Sequence, residues 1–171
     1  MATTIRMLTE TGPRFVGLEE WDRLDADSNR VVFRNGRYGF NCYGFCIEGA
    51  ETAVRYEVGD DEVWIETCQS PNGRYSYSLF YRLLGFQGRF YCGFCWDENC
   101  GYKGRKQAVT AALEQALDVV KDLHKPIGSP YVDRSFFNIP GRRARMSQVK
   151  KYLEKKLDFW DPAVIDILKI D

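Results

Sequence analysis

The chain has 171 residues, 44% of them hydrophobic and 28% charged, and its 24 basic residues balance 24 acidic ones. This length suits one domain with its own core, and zero net charge excludes a global electrostatic field that would attract nucleic acid. No run of about 20 apolar residues occurs, and residues 1–10 lack the pattern of a secretion signal. We therefore expect a cytoplasmic protein with no membrane contact.

Strand patterns dominate the first hundred residues. A strand is expected near Ile5–Leu8, and the spacing of Leu18, Trp21 and Leu24 predicts a short acidic helix. Between Arg30 and Trp96, aromatic and β-branched residues alternate with turn signals, which are Asn35-Gly36, Gly59-Asp60-Asp61, Pro71-Asn72-Gly73 and Gly85–Gly88. Glycine and asparagine tolerate the positive φ of tight turns, so this pattern predicts an antiparallel meander.

Alternation within one strand predicts which side of the sheet is covered. Tyr75, Tyr77, Leu79 and Tyr81 share one face. The opposite face carries serines, one phenylalanine and one arginine, which are Ser76, Ser78, Phe80 and Arg82. Successive side chains of a strand point to opposite faces, so we expect the first set to be packed and the second to be partly exposed to water.

Helical patterns dominate the rest of the chain. Apolar residues three and four apart predict a long helix over Arg105–Leu123, which ends before Lys125-Pro126. Residues 127–146 have no clear pattern, Ser147 is expected to cap a helix through Leu157, and Asp161-Pro162 begins a last short helix. The predicted fold is α+β: an antiparallel β-meander of about five strands packed on one long helix, with two further C-terminal helices. We expect one domain over residues 1–171, with a helical extension over about 128–171.

Charge is distributed unevenly along the chain. From Glu48 to Glu66 there is one base and there are seven acids, a balance of 1 − 7 = −6. From Pro140 to Lys156 there are seven bases and one acid, a balance of 7 − 1 = +6. The chain is therefore bipolar, and either charged stretch could face a partner or lie on a solvated surface.

Three cations stand at the start of the predicted long helix, namely Lys103, Arg105 and Lys106. A helix N-terminus already carries about half a positive charge, so cations there are unfavourable by about 0.3–1 kcal/mol relative to anions. A bound phosphate would offset this, because free backbone N–H groups and basic side chains would converge on one anion. Extension of these side chains into salt-containing solvent is the alternative.

The segment Gly104-Arg105-Lys106-Gln107-Ala108 follows a strand meander and leads into a helix containing Ala111, Ala112, Ala116 and Leu117. In this order of elements the chain resembles the C-terminal half of a double-stranded-RNA-binding domain, over about a third of its length from Trp64 to Leu123. The resemblance implies that Lys103, Arg105 and Lys106 hold RNA phosphates. The pattern departs at Val109, where the family usually has a further lysine, and its first helix and minor-groove loop have no counterpart here.

Three cysteines have a spacing that could supply zinc ligands, Cys92, Cys95 and Cys100, with Cys42, Cys46 or Cys68 as a possible fourth. In a continuous strand, Cys92 and Cys95 point to opposite faces, and no second Cys-x-x-Cys pair is present. Buried thiols that pack as small apolar groups are the alternative. Apart from possible zinc, we expect no cofactor.

Catalytic patterns are weak. His124 is the single histidine, and its place at the end of the long helix is explained by a favourable interaction with the helix dipole. Asp60, Asp61 and Glu62 could bind a hard cation, although a charged hairpin turn also explains them. The Walker loop and the dinucleotide-binding fingerprint are both missing from the sequence.

Three functions remain open. The first is a non-enzymatic binding protein that occupies a nucleic-acid-handling protein or complex, similar in size and composition to accessory proteins of phages and plasmids, including inhibitors of host defence systems. The second is direct binding of double-stranded RNA or DNA. The third is a small enzyme that uses the acidic cluster or a thiol. The residues predicted to contact phosphate or an acidic partner are Lys103, Arg105, Lys106, Arg142, Arg143, Arg145, Lys150, Lys151 and Lys155.

Overall fold

The structure is a computed structural model that describes residues 4–9, 12–25, 29–91, 101–124, 139 and 141–160. The first part contains two strands, β1 (Thr4–Thr9) and β2 (Gly12–Gly17), then helix α1 (Leu18–Asp25), then strands β3 (Phe33–Asn35), β4 (Tyr38–Phe40) and β5 (Cys46–Glu48). Four longer strands follow: β6 (Glu51–Val58), β7 (Asp61–Gln69), β8 (Tyr75–Leu83) and β9 (Phe86–Tyr91). Helices α2 (Arg105–His124) and α3 (Arg142–Trp160) complete the described residues. The predicted α+β class with antiparallel pairing is confirmed.

The described strands form three sheets, so the prediction of one meander of about five strands is wrong. The sheets are β1-β2, β3-β4-β5 and β6-β7-β8-β9, each antiparallel throughout. The break lies between β5 and β6, where Gly49 has a φ of 75° and its missing Cβ would lie 2.2 Å from the carbonyl oxygen of Arg37. After this tight turn the chain enters β6, which pairs with β7 and not with β5.

Helix α2 agrees with the predicted Arg105–Leu123 to within one residue, whereas α3 begins five residues before Ser147. Gly141 precedes α3 with a φ of 68°, and its carbonyl accepts a hydrogen bond of 2.9 Å from the Arg145 backbone N–H. Residues 142–146 are thus helical and not part of an irregular stretch. The predicted helix from Asp161 and the predicted strand continuation to Trp96 lie outside the described residues.

The main core lies between the four-stranded sheet and both long helices. Helix α2 contributes Val109, Leu113, Ala116 and Val120, which pack with Val63, Ile65 and Leu79 of the sheet. Helix α3 adds Met146, Val149 and Leu153, all fully buried, beside Val54 and Tyr56 of β6. Both helices therefore cover the same face of this sheet. None of the described helices is long and apolar enough to cross a bilayer.

A second core holds the two smaller sheets together. It contains Met7, Leu8, Val16, Phe40 and Cys42, with Cys68 of β7 at its border. The backbone N–H of Leu8 donates to the carbonyl of Cys42 at 2.9 Å, which joins β1 to the segment after β4. Because Cys68 belongs to β7, this core also contacts one end of the four-stranded sheet.

Candidate functional site

Of the three cations predicted at the start of α2, one makes contacts within the protein and two are exposed to solvent. Arg105 donates to the Thr67 hydroxyl at 2.9 Å, pairs with Glu51 at 3.2 Å, and lies 5.7 Å from the ring centroid of Trp160. Lys103 and Lys106 are exposed. Arg105 therefore joins the sheet, α2 and the end of α3, and its guanidinium is already committed to these contacts.

Arg145, at the start of α3, also has an internal partner. Arg145 makes two hydrogen bonds to the carboxylate of Asp61, at 2.7 and 2.8 Å, which raise the pKa of its guanidinium. Asp61 is 2% exposed and also accepts the backbone N–H of Leu84 at 2.8 Å. This carboxylate, predicted as part of an acidic cluster, thus anchors α3 to the β6–β7 hairpin.

The remaining predicted cations lie along α3 and at its start. Arg142 donates to the carbonyl of Leu123 in the last turn of α2, and Arg143 is exposed. Lys150 pairs with Glu154 at 3.5 Å, one turn away. Lys151 and Lys155 are exposed on the same helix.

The start of α2 and the start of α3 lie at opposite ends of an antiparallel helix pair. Arg142 contacts the end of α2, while the Thr110 hydroxyl near its start donates to the carbonyl of Trp160 at 3.3 Å. A helix of 20 residues is about 30 Å long. The structure therefore does not bring Lys103–Lys106 and Arg142–Arg145 together into one basic surface.

The predicted zinc ligands Cys92, Cys95 and Cys100 lie outside the described residues. Within the part of the chain that the structure describes, no group of three or more histidine, cysteine or carboxylate side chains is placed to hold a metal ion. Cys42, Cys46 and Cys68, the possible fourth ligands, carry thiol groups and form no disulfide with one another.

The face of the four-stranded sheet turned away from α2 carries both aromatic and charged side chains. We call it the outer face, and its side chains are Arg55, Glu57, Glu62, Trp64, Glu66, Ser78, Phe80, Arg82, Gln87 and Arg89. Among the described helices, α2 and α3 pack on the opposite side of this sheet, and α1 packs on β1 and β2. The expected partial exposure of this side of β8 holds for Ser78, Phe80 and Arg82, whereas Ser76 is buried.

One row of side chains crosses all four strands of the outer face. The strand register places Arg55 opposite Trp64, Trp64 opposite Phe80, and Phe80 opposite Arg89. The Arg55 guanidinium lies 4.6 Å from the Trp64 ring centroid, and the Trp64 and Phe80 rings meet edge to face at 5.9 Å. Two half-buried aromatic rings are thus bracketed by two exposed arginines; we call these four residues the aromatic row.

Two arginines of the outer face are paired with glutamates. Arg55 donates to both carboxylate oxygens of Glu57, at 2.8 and 3.2 Å, and this contact raises the pKa of Arg55 and lowers that of Glu57. Arg82 pairs with Glu62 on the neighbouring strand. These two arginines and two glutamates, which lie around Trp64, therefore have no net charge.

A small cleft opens at the end of the outer face, beside β5. It is lined mainly by small and polar residues, including Gly44, Cys46, Glu66, Cys68, Ser76 and Ser78, and encloses about 20 Å³. This volume holds about one water molecule. The thiols of Cys46 and Cys68 are hydrogen-bonded to each other, and the Cys46 thiol also donates to the carbonyl of Glu48 at 3.2 Å.

Sequence reasoning did not identify the aromatic row or the thiol pair. Partial exposure of Phe80 was predictable from alternation in β8, but alignment of Arg55, Trp64 and Arg89 with it depends on the register of three hairpins. Cys46 and Cys68 are 68 − 46 = 22 positions apart and form no motif. The chain matches no protein-family model, and no curated protein or solved structure is significantly similar to it.

Proposed function

We propose that the protein is a non-enzymatic binding protein that recognises a folded protein partner through its outer face. The observation that supports this most directly is the aromatic row, Arg55, Trp64, Phe80 and Arg89, aligned across four strands. Tryptophan, phenylalanine and arginine are enriched in protein interfaces, and tryptophan and arginine among the residues whose truncation most weakens binding. The partner would offer an apolar recess for Trp64 and Phe80.

The charges of the outer face favour a protein over a polyanion. Its three arginines, Arg55, Arg82 and Arg89, are balanced by three glutamates, Glu57, Glu62 and Glu66, a net charge of 3 − 3 = 0. Arg55 and Arg82 are also already paired with carboxylates. Nucleic acid is held by an excess of cations, and the glutamates here would repel phosphate. A partner with both signs of charge around an apolar centre complements this face.

Our proposed class of partner is a nucleic-acid-handling protein or complex. A phage or plasmid accessory protein or a defence inhibitor would have such a target. The bipolar charge of the sequence supports it, since a partner that itself binds nucleic acid has a basic surface for phosphate. An exposed acid in the turn of the β6–β7 hairpin, Asp60, is available to such a surface.

The test is affinity capture from a lysate of the source organism, with nuclease added throughout. We expect a specific protein to be retained by the wild type and lost with Trp64→Ala and with Phe80→Ala. Phe159→Ala is the matched control, because Phe159 is an aromatic side chain, 68% exposed, on α3 at the other side of the sheet. Circular dichroism confirms that each variant is folded.

Two results would contradict the proposal. One is retention of the same protein by the Trp64→Ala and Phe80→Ala variants at wild-type levels. The other is recovery of nucleic acid alone, with nothing retained after nuclease treatment. A charge-reversed variant, Arg89→Glu, adds an independent measurement, since loss of an interface arginine weakens binding without removing an aromatic ring.

Direct nucleic-acid binding is the second candidate function. The observation that favours it is the end of the helix pair, where Lys103 and Lys106 are exposed at the start of α2 and the end of α3 lies beside them. No acidic residue occurs in the first turn of α2. This candidate predicts a salt-dependent mobility shift of duplex RNA or DNA that is lost with Lys103→Ala/Lys106→Ala. Absence of a shift at low salt would exclude it.

A further inference from the structure

Two thiols meet where the small sheet and the large sheet adjoin. Cys46 belongs to β5 of the three-stranded sheet and Cys68 to β7 of the four-stranded sheet. Their side chains are hydrogen-bonded, and both line the same small cleft. The pair is therefore preassembled, although 22 positions separate the two residues.

We propose that Cys46 and Cys68 form a reversible disulfide that covalently joins the two sheets. This modification site is independent of the outer-face binding function, and neither proposal requires the other. Bond formation requires the two sulfurs, which are already in hydrogen-bonding contact, to approach to a bonded separation of about 2 Å.

The two cysteines differ in the way that stepwise thiol–disulfide exchange requires. Cys46 is partly exposed, whereas Cys68 is 7% exposed. The hydrogen bond from Cys68 lowers the pKa of the Cys46 thiol, against the opposing effect of burial. The thiolate is the attacking form of cysteine, so Cys46 is the nucleophile and Cys68 the resolving thiol.

The oxidant is a small-molecule disulfide such as oxidised glutathione. The Cys46 thiolate attacks one of its sulfurs, forms a mixed disulfide and expels one small thiolate. The Cys68 thiolate then attacks the Cys46 sulfur and expels the second small thiolate. Two protein thiols are oxidised, one small disulfide is reduced to two thiols, and the two protons remain with the solvent or the released thiols.

Cys42 is the competing partner within the described residues. It is 1% exposed, belongs to the second core, and is not among the residues that line the cleft. A small oxidant reaches it less readily than it reaches Cys46, because access to the attacking thiol controls the rate of exchange. We therefore expect the link to exclude Cys42.

The test is oxidation of the full-length chain with oxidised glutathione, followed by alkylation of free thiols, trypsin digestion and mass spectrometry. Arg55 is the only trypsin site between Cys46 and Cys68, so the two cysteines fall on separate peptides. We expect a linked pair of peptides, spanning residues 38–55 and 56–74, that separates on reduction with dithiothreitol. Cys92, Cys95 and Cys100 fall on a third peptide after Arg89, which identifies any exchange with them.

Serine variants identify which two cysteines form the disulfide. The linked pair should persist in Cys42→Ser and disappear in Cys46→Ser, while Cys68→Ser should accumulate glutathione on Cys46 because the resolving thiol is missing. The proposal is overturned if Cys46→Ser keeps the linked pair, if Cys68 is linked to the third peptide, or if Cys46 and Cys68 are both recovered as alkylated thiols after oxidation. None of these readouts depends on partner binding.

Discussion

Arg145 at the start of α3 makes a two-point ion pair with Asp61, a buried carboxylate 84 positions earlier in the chain. This contact connects the most acidic and the most basic stretches of the sequence through one well-formed interaction. The bipolar charge pattern therefore has a structural role in addition to any part in binding a partner.

Removal of Arg145 should destabilise the fold much more than removal of its neighbour Arg143. Arg145→Ala leaves the Asp61 carboxylate buried without its cation, and we expect a loss of about 2–3 kcal/mol, below the range for a fully buried pair because Arg145 is partly exposed. Arg143→Ala should change stability by less than about 0.5 kcal/mol. Urea denaturation measures both, and equal effects of the two variants would contradict a structural role for the pair.

Arg105 and Lys106 should behave differently, although they are adjacent cations at the start of α2. Arg105→Ala removes contacts to Glu51, Thr67 and Trp160, and we expect a loss of about 1–2 kcal/mol. Lys106→Ala should be neutral, because this lysine is exposed. Thermal unfolding monitored by circular dichroism distinguishes them. If Lys106→Ala lowers stability as much as Arg105→Ala, the contacts of Arg105 to the sheet and to the end of α3 do not stabilise the fold.

Glu51 should make stability dependent on pH in the acidic range. The hydrogen bond from the Tyr38 hydroxyl, at 2.5 Å, is the main cause that lowers the pKa of Glu51, with further contributions from Arg37 and Arg105. A lowered folded-state pKa means that the stabilisation is present above the ordinary pKa of 4.5 and is lost as the pH falls through the lower folded value.

The measurement compares wild type and Glu51→Gln by urea denaturation at stepwise decreasing pH. We expect the difference in free energy of unfolding to be largest near neutrality and to shrink below the ordinary glutamate pKa. A difference that stays constant, or one that grows as the pH falls, would contradict the assignment.

Gly49 should tolerate a side chain far less well than Gly59, although both have positive φ. A Cβ at Gly49 would lie 2.2 Å from the backbone oxygen of Arg37, whereas one at Gly59 would meet open space. We expect Gly49→Ala to lose about 3 kcal/mol from clash and strain, and Gly59→Ala about 1 kcal/mol from the left-handed conformation alone. Chemical denaturation of the two variants gives this comparison, and equal losses would contradict the tight turn.

The sequence predicted elements whose patterns are local. Helix α2 was located to within one residue because its apolar side chains step regularly by three and four. The start of α3 was missed because residues 142–145 are mostly charged, so that Met146 is the first clear apolar signal. The division into three sheets was missed because alternation and turn residues identify strands but not which consecutive strands pair.

The candidate sites were harder to predict because they join distant segments. Arg105 and Arg145 are basic by sequence alone, but their carboxylate partners are identified only by the packing of helices on the sheet. The aromatic row has the same origin, since Trp64 and Phe80 become neighbours through the register of the β7–β8 hairpin.

The helix-covered side of the large sheet is completed by residues that are synthesised late. Val54 and Tyr56 of β6 pack beside α3, and the Tyr152 hydroxyl donates to the carbonyl of Arg55 at 2.6 Å, across 97 positions. At ribosomal rates of about 5–20 residues per second, roughly 5–20 seconds separate the two segments during translation. For that interval the part of the nascent sheet that α3 will cover stays uncovered. Because this surface is apolar, the unfinished chain is open to capture by chaperones or to aggregation.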